Sequence, residues 1–195
     1  MTNATQASAV ATVEDVLGFW FDGDRTRPEW FRKDPAFDAQ IRARFGATIE
    51  AALAGALDAW GQSPRGALAR MIVLDQFTRN AFRDTPRAFA GDAQALAAAQ
   101  ALVASGQHRE LRPIERQFAY LPFEHAEDLA SQAEALRLFG ALAAEAPDLG
   151  ELVGWAQRHH DVIARFGRFP HRNAVLGRTS TAEEIEFLKQ PGSSF

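Results

Sequence analysis

Cysteine is absent from the 195 residues, which removes disulfides, thiolate metal sites and cysteine nucleophiles together and fits a reducing, cytoplasmic setting. Lysine is nearly absent: Lys33 and Lys189 stand alone, so almost every cation is an arginine. A GC-rich coding sequence explains that usage as readily as a need for the planar, bidentate guanidinium. No apolar run approaches the roughly 20 residues that cross a bilayer, so no membrane association is expected. The opening MTNATQASAVAT lacks a cationic start and an apolar stretch, and residues 1–12 read as a disordered tail, not an export signal. The formal charge of −4 leaves no domain-wide positive field, which argues against DNA as a partner. No Gly-rich phosphate loop, nucleophile elbow, zincin motif or dinucleotide fingerprint occurs, and no cofactor is assigned.

What is present is helical periodicity. Apolar residues recur at three and four, alternating β-branched runs are missing, and residues 13–195 read as a single all-α domain of about eight helices in antiparallel hairpins. Val13 to Phe21 is the first helix, and Gly23 to Asp34 is a loop carrying Trp30 and Phe31. Asp34-Pro35 opens a long second helix whose stripe of Phe37, Ile41, Phe45, Ile49 and Leu53 is core. Ser63-Pro64 starts a third and Gly91-Asp92 a fourth, which ends at Gly106. A fifth follows Arg112-Pro113, Asp128 caps a sixth, and Asp148 opens a seventh that runs to Gly167. A last helix follows a capping box at either Ser180/Glu183 or Thr181/Glu184 and runs to about Gln190.

Three places set polar groups where the periodicity predicts burial. In the third helix, Ala67 to Phe77 is apolar nearly all round, so Asp75 faces protein and needs a partner. Arg79, one turn on, supplies it in the favourable acid-then-base order, with Gln76 and Asn80 as further donors. The result is either a buried ion pair that fixes helix packing or one wall of a polar pocket. In the second place Pro122 falls inside the fifth helix and predicts a kink or stop, beside which Glu124, His125, Glu127 and Asp128 gather. There Asp128 is a cap, Glu127 a solvated charge and His125 a turn histidine, or Glu124 and His125 are an acid/base pair. A metal site drawn from Glu124, His125, His160, Asp161 and His171 has no diagnostic spacing, and none is assigned.

The third place is the seventh helix and its sequel. Arg158, Asp161 and Arg165 predict a surface ladder of ion pairs, and His159, beside the apolar stripe, is discounted as a packed core histidine. Arg165 complements the helix C-terminus. Arg168, His171, Arg172, Asn173 and Arg178 lie past Gly167 and Pro170, where the helix ends. Phe166 and Phe169 pin that loop, so its guanidinium groups meet an anion that is either internal or a ligand.

The segments LDQFTRNAFR (Leu74 to Arg83), PFEHAED (Pro122 to Asp128) and HDVIARFGRFPHRNAVLGRTSTAEEIEFL (His160 to Leu188), with VLGFWF at Val16, resemble bacterial domain-of-unknown-function family 924. The resemblance spans about residues 13 to 190 and implies a tetratricopeptide-like α–α superhelix. It implies no chemistry. Ala126 departs from the serine common at its place in that family, so no hydroxyl acts there.

Two functions from different classes follow. In one, the motif segments line a pocket for a small anionic or phosphorylated molecule, contacted by Arg79, Asn80, Gln76, Arg165, Arg168, Arg172 and Asn173. His125, His160, His171, Asp75 and Glu124 are then the candidates for proton transfer. In the other, the helices present a face to a peptide or protein and the polar cluster is scaffolding. Exposed Trp20, Trp30 or Phe31 would favour the second. A third reading, RNA phosphates held by the arginine segment, is weaker against the acidic background.

Overall fold

Residues 9–194 are described by a computed structural model, and among them the secondary structure is helical, with a single isolated bridge between Asp22 and Arg25. The first three helices start where a side chain provides an acceptor for their free N–H groups. Thr12 caps α1 (Val13–Trp20), Asp34 caps α2 (Pro35–Leu53) by accepting from the amides of Ala36 and Phe37, and Ser63 caps α3 (Pro64–Met71) by accepting from Gly66. Proline at the first helical position fixes the entry of both α2 and α3.

The third helix departs from ideal geometry. After α3 the backbone widens into a π-helical segment, Ile72–Phe77, and then resumes as α4 (Thr78–Ala81). Wide turns of this kind hold a surplus residue and concentrate at functional or strained places. α5 (Asp92–Ala104) passes this segment at Gly91, where a Cβ would sit 2.2 Å from the Leu74 carbonyl oxygen, so only glycine fits. α6 (Pro113–Glu124) follows. Pro122 does not stop it at once: α6 runs on for two residues beyond the proline, and the amide of His125 still donates to the Leu121 carbonyl. α7 (Leu129–Glu145), α8 (Glu151–Phe166) and α9 (Ala182–Leu188) complete the chain. α8 begins a few residues after Asp148, which lies instead in a 3₁₀ turn, Pro147–Leu149. Gly167, at φ 69°, ends α8 in the left-handed conformation. Of the two registers for the last cap, the Thr181/Glu184 box is the one that forms.

The chain divides into two compact units. The first holds the described residues through Arg83 together with Arg87–Ala119. Its core is aromatic: Phe19, Trp20, Trp30, Phe37, Phe45, Phe77 and Phe118 meet in stacked, tilted and edge-to-face pairs with centroids 4.7–6.0 Å apart. Trp20 and Trp30 are therefore interior, and Trp30 Nε1 donates to the Trp20 carbonyl. Phe31 is 60 % exposed. The expected stripe of α2 is buried except at its end, where Ala52 replaces Leu53 in the core.

The second unit holds Asp84–Pro86 and the described residues from Tyr120 onward. α7 and α8, joined by a short connection, lie along one another, and Val162, Ile163 and Phe169 form an apolar cluster to which Phe166 and Phe187 add. α6 carries the chain from the first unit into the second. Of the tail expected at residues 1–12, residues 1–8 lie outside the described residues. Ala11 donates its amide to Thr48 Oγ1 and Thr12 caps α1.

No helix among the described residues is long and apolar enough to cross a membrane.

Candidate functional site

In the first unit Asp75, 2 % exposed, sits inside the π-helical segment. Arg79 Nη1 lies 2.7 Å from its carboxylate and also donates to its carbonyl, while Gln76 Nε2 donates to the other carboxylate oxygen. Arg79 then forks onto Asp92 with two bonds of 2.9 and 3.0 Å. Burial opposes the charge on Arg79, and the fields of Asp75 and Asp92 overcome it, so the guanidinium is held more firmly protonated than usual. One turn on, Asn80 and Arg83 both donate to the buried carboxylate of Asp38. Burial would raise Asp38; the bonds from Arg83 and Asn80 reverse that and hold it below the ordinary carboxylate range. Arg79, Asn80 and Gln76 thus meet carboxylates of the protein itself.

In the second unit the arginines of the last sequence block behave in the same way. Arg165 bonds Glu183 at 2.8 Å, and Arg168 makes two bonds to the buried Glu184, at 2.6 and 2.8 Å. Asn173, also buried, donates to Ser180 and Glu184 and accepts from Arg178. The Arg168 hydrogen bonds, acting against burial and helped by the Thr181 amide, bring Glu184 down to about 2. Arg178 forks onto Glu127, which also accepts the amide of Phe169. Glu127, expected to be a solvated charge, is a half-buried clamp on the loop. Burial pushes its carboxyl up, and the Arg178 and Phe169 bonds carry it below its usual range.

The ladder expected on α8 does not form, because better partners lie elsewhere: Asp161 accepts from Gln157, Arg165 reaches Glu183, and Arg158 stacks over Trp155 at 4.7 Å. His160 is partly exposed, 3.4 Å from Asp161.

A different arrangement surrounds Phe169, which is fully buried. The Arg172 guanidinium lies over its ring at 4.5 Å, the ring of His171 at 5.6 Å and the ring of His159 edge-on at 5.5 Å. His125 stands 6.2 Å from His159. Glu124 and His159 are 4 % and 5 % exposed, and Glu124 Oε1 lies 3.0 Å from His159 Nδ1. The same nitrogen is 2.9 Å from the Trp155 carbonyl oxygen, one helical turn back. Burial, with the positive fields of His125, Arg172 and His171, pushes His159 down to about 3, so the ring is neutral at physiological pH. Gln132 fixes this corner by donating to the backbone carbonyls of Glu124 and Ala126.

Of the candidates read from sequence, Glu124, His125, His171 and Arg172 come together here. His160 points to Asp161, and Asp75 belongs to the first unit. His159, expected as a packed core histidine, is indeed buried, and its partners are the Trp155 carbonyl and the Glu124 carboxylate. The available signal is its register: it follows Ala156 by three and precedes Ile163 by four, both buried on the inner face of α8. Among the described residues no group of three or more histidine, aspartate or glutamate side chains is arranged to hold a metal ion.

The model of a family described as "bacterial protein of unknown function" matches residues 16–192. A solved structure of a protein of unknown function from Agrobacterium tumefaciens is similar at 39 % identity and a TM-score of 0.82, covering 91 % of this chain and 96 % of that one. No curated protein matches. With the motif blocks at Leu74, Pro122 and His160 all inside the matched span, the chain belongs to the DUF924 family of bacterial proteins of unknown function.

Proposed function

We propose that the cluster around Phe169 binds a small anionic molecule, with Arg172 as the fixed cation and His125 and His171 as titratable ones. The observation that carries this reading is the concentration of cation-forming side chains within one unit, which repel one another when protonated: Arg172 and His171 lie against the Phe169 ring at 4.5 and 5.6 Å, and His125 stands 6.2 Å from His159. An oxyanion placed among them relieves that mutual repulsion. Arg79, Arg165 and Arg168 take no part in binding, since each spends its donors on a protein carboxylate. The reading also takes the helices as a tetratricopeptide-like α–α superhelix and the setting as cytoplasmic, where small phosphorylated and carboxylic metabolites are the available anions.

The test is thermal-shift screening of phosphate monoesters and small carboxylic acids against the wild type and Arg172→Met, which keeps apolar bulk over Phe169 and removes the charge. A stabilising hit that disappears in the variant supports the reading. A hit that persists, or no hit in either protein, overturns it.

A second reading makes the chain a peptide- or protein-binding module whose polar groups are scaffolding. The paired forks of Arg168 on Glu184 and Arg178 on Glu127 favour it, as do Phe31 and Trp155, exposed by 60 % and 46 %. Trp20 and Trp30 are interior and lend it nothing.

A further inference from the structure

At the end of α1 the first unit has a hollow of about 480 Å³, lined by Gly18 and Phe21 at the helix end and by the loop from Asp22 to Glu29. That volume lies inside the roughly 300–1,000 Å³ of small-molecule sites. Of its four charged residues, two are already engaged: Arg27 Nη1 donates to the carbonyls of Phe19 and Trp20 at 2.6 and 3.4 Å, and Arg27 Nε lies 3.6 Å from Glu29. Asp22 and Arg25 are not. Among the described residues no ion pair or side-chain hydrogen bond engages either of them, or Thr26 beside them.

Their backbone placement is fixed all the same. The Arg25 amide donates to the Asp22 carbonyl at 3.2 Å across a turn that has Gly23 at φ 60°, and the two residues form an isolated antiparallel bridge. Bridge partners carry their side chains on one face with Cβ atoms about 5 Å apart. The hollow is therefore rimmed by an acid and a base that stand side by side and unjoined. Its apolar surface is Phe21 and Pro28. Gly18 keeps it open, since a Cβ there would meet nothing within 4 Å.

We propose that this hollow binds a free α-amino acid with an apolar side chain. The carboxylate faces Arg25 and Thr26, the ammonium faces Asp22, and the side chain packs on Phe21 and Pro28. An α-amino acid sets its two charges on either side of a single carbon, which matches rim groups this close; an acylated or amidated chain end keeps only one of them. The ammonium also meets the negative end of the α1 dipole, because Gly18 lies in the last turn of that helix.

Calorimetric titration of the full chain at pH 7.5 with L-leucine, N-acetyl-L-leucine and L-leucinamide tests this. Leucine binds, and each blocked derivative, lacking one charge-assisted contact, binds roughly tenfold or more weakly. Arg25→Gln should abolish the preference for leucine over leucinamide, and Asp22→Asn the preference over N-acetyl-leucine. Neither side chain has a partner to lose, so both variants should keep the wild-type melting temperature. Gly18→Leu fills the hollow and raises helix propensity, so it should remove binding with a melting temperature at or above wild type. Equal affinity for leucine and either derivative overturns the proposal, as does wild-type affinity in Gly18→Leu or no binding of leucine at millimolar concentration. Should Gly18→Leu fail to fold, the two rim variants decide: unchanged preferences in both place the amino acid elsewhere and overturn it.

Discussion

Both units bury a carboxylate, and they give it partners of different chemistry. In the first, Asp75 and Asp38 meet guanidinium groups that stay charged at any pH a protein survives. In the second, Glu124 meets an imidazole that is neutral in the folded chain. The difference separates a permanent charge from a titratable group. An arginine fork fixes geometry with a charge that does not titrate, whereas a histidine can change its charge with pH. The same contrast runs within the second unit, where Arg168 and Arg178 are consumed by Glu184 and Glu127 while the histidines gather around Phe169.

The sharpest break of this contrast is on the side of the permanent charge. Arg79→Met leaves Asp75 without its guanidinium and should cost about 3–5 kcal/mol, seen as a lower urea midpoint with an unchanged slope at both pH 7.5 and pH 5.5. A loss that depends strongly on pH over that range would show that Asp75 protonates readily and is not held by a permanent pair.

Comparable in size, and opposite in its pH behaviour, is the contribution of His159. Its folded value of about 3 lies below the ordinary 6.5, so unfolding takes up a proton at any pH between the two. Stability is then fully present above pH 6.5 and is lost as pH falls toward 3, with a slope of about 1.4 kcal/mol per pH unit in the steep part. Glu127 and Glu184, being depressed carboxylates, add their own loss only below the ordinary glutamate value of 4.5. The window from pH 6 to pH 5 therefore lies above those two carboxylates, and the difference between wild type and a His159 variant assigns that residue's share of the slope. His159→Gln should flatten the stability profile there relative to wild type; an unchanged slope would mean that another group titrates.

Smaller effects compare the helix caps. Ser63→Ala in the first unit and Thr181→Ala in the second each remove one cap bond and should cost about 1 kcal/mol by urea denaturation. Thr181→Ala should also loosen Glu184, detectable as faster amide exchange in α9 with α3 unaffected. At the bottom of the scale, Glu186→Ala removes an exposed pair with Lys189 and should move the midpoint by less than about 0.5 kcal/mol.

Much of the fold is written locally. Asp34-Pro35, Ser63-Pro64, Asp128 and Gly167 set helix ends because a cap needs only the acceptor or the conformational freedom of one residue. The Asp75–Arg79 pair was legible for the same reason, lying within one turn. Contacts set by the tertiary arrangement were not. Nothing near Glu127 announces Arg178, 51 residues on, and nothing beside Asp38 announces Arg83. The surface ladder on α8 failed because Glu183 competes for Arg165 from another helix. The burial of His159 is legible in its register, but its Glu124 partner, 35 residues earlier, is not.

The wide turn at Ile72–Phe77 has a consequence for how this helix tolerates change in length. A surplus residue works as a phase adjuster: it rotates everything downstream by about 100° relative to an uninterrupted α-helix. Excising a single residue there would leave a perfectly good helix and a misdirected one. Arg79, Asn80 and Arg83 would turn away together from Asp92 and Asp38. The angular setting of three donors thus hangs on one inserted backbone unit, and point substitutions in the segment are the safer way to probe it.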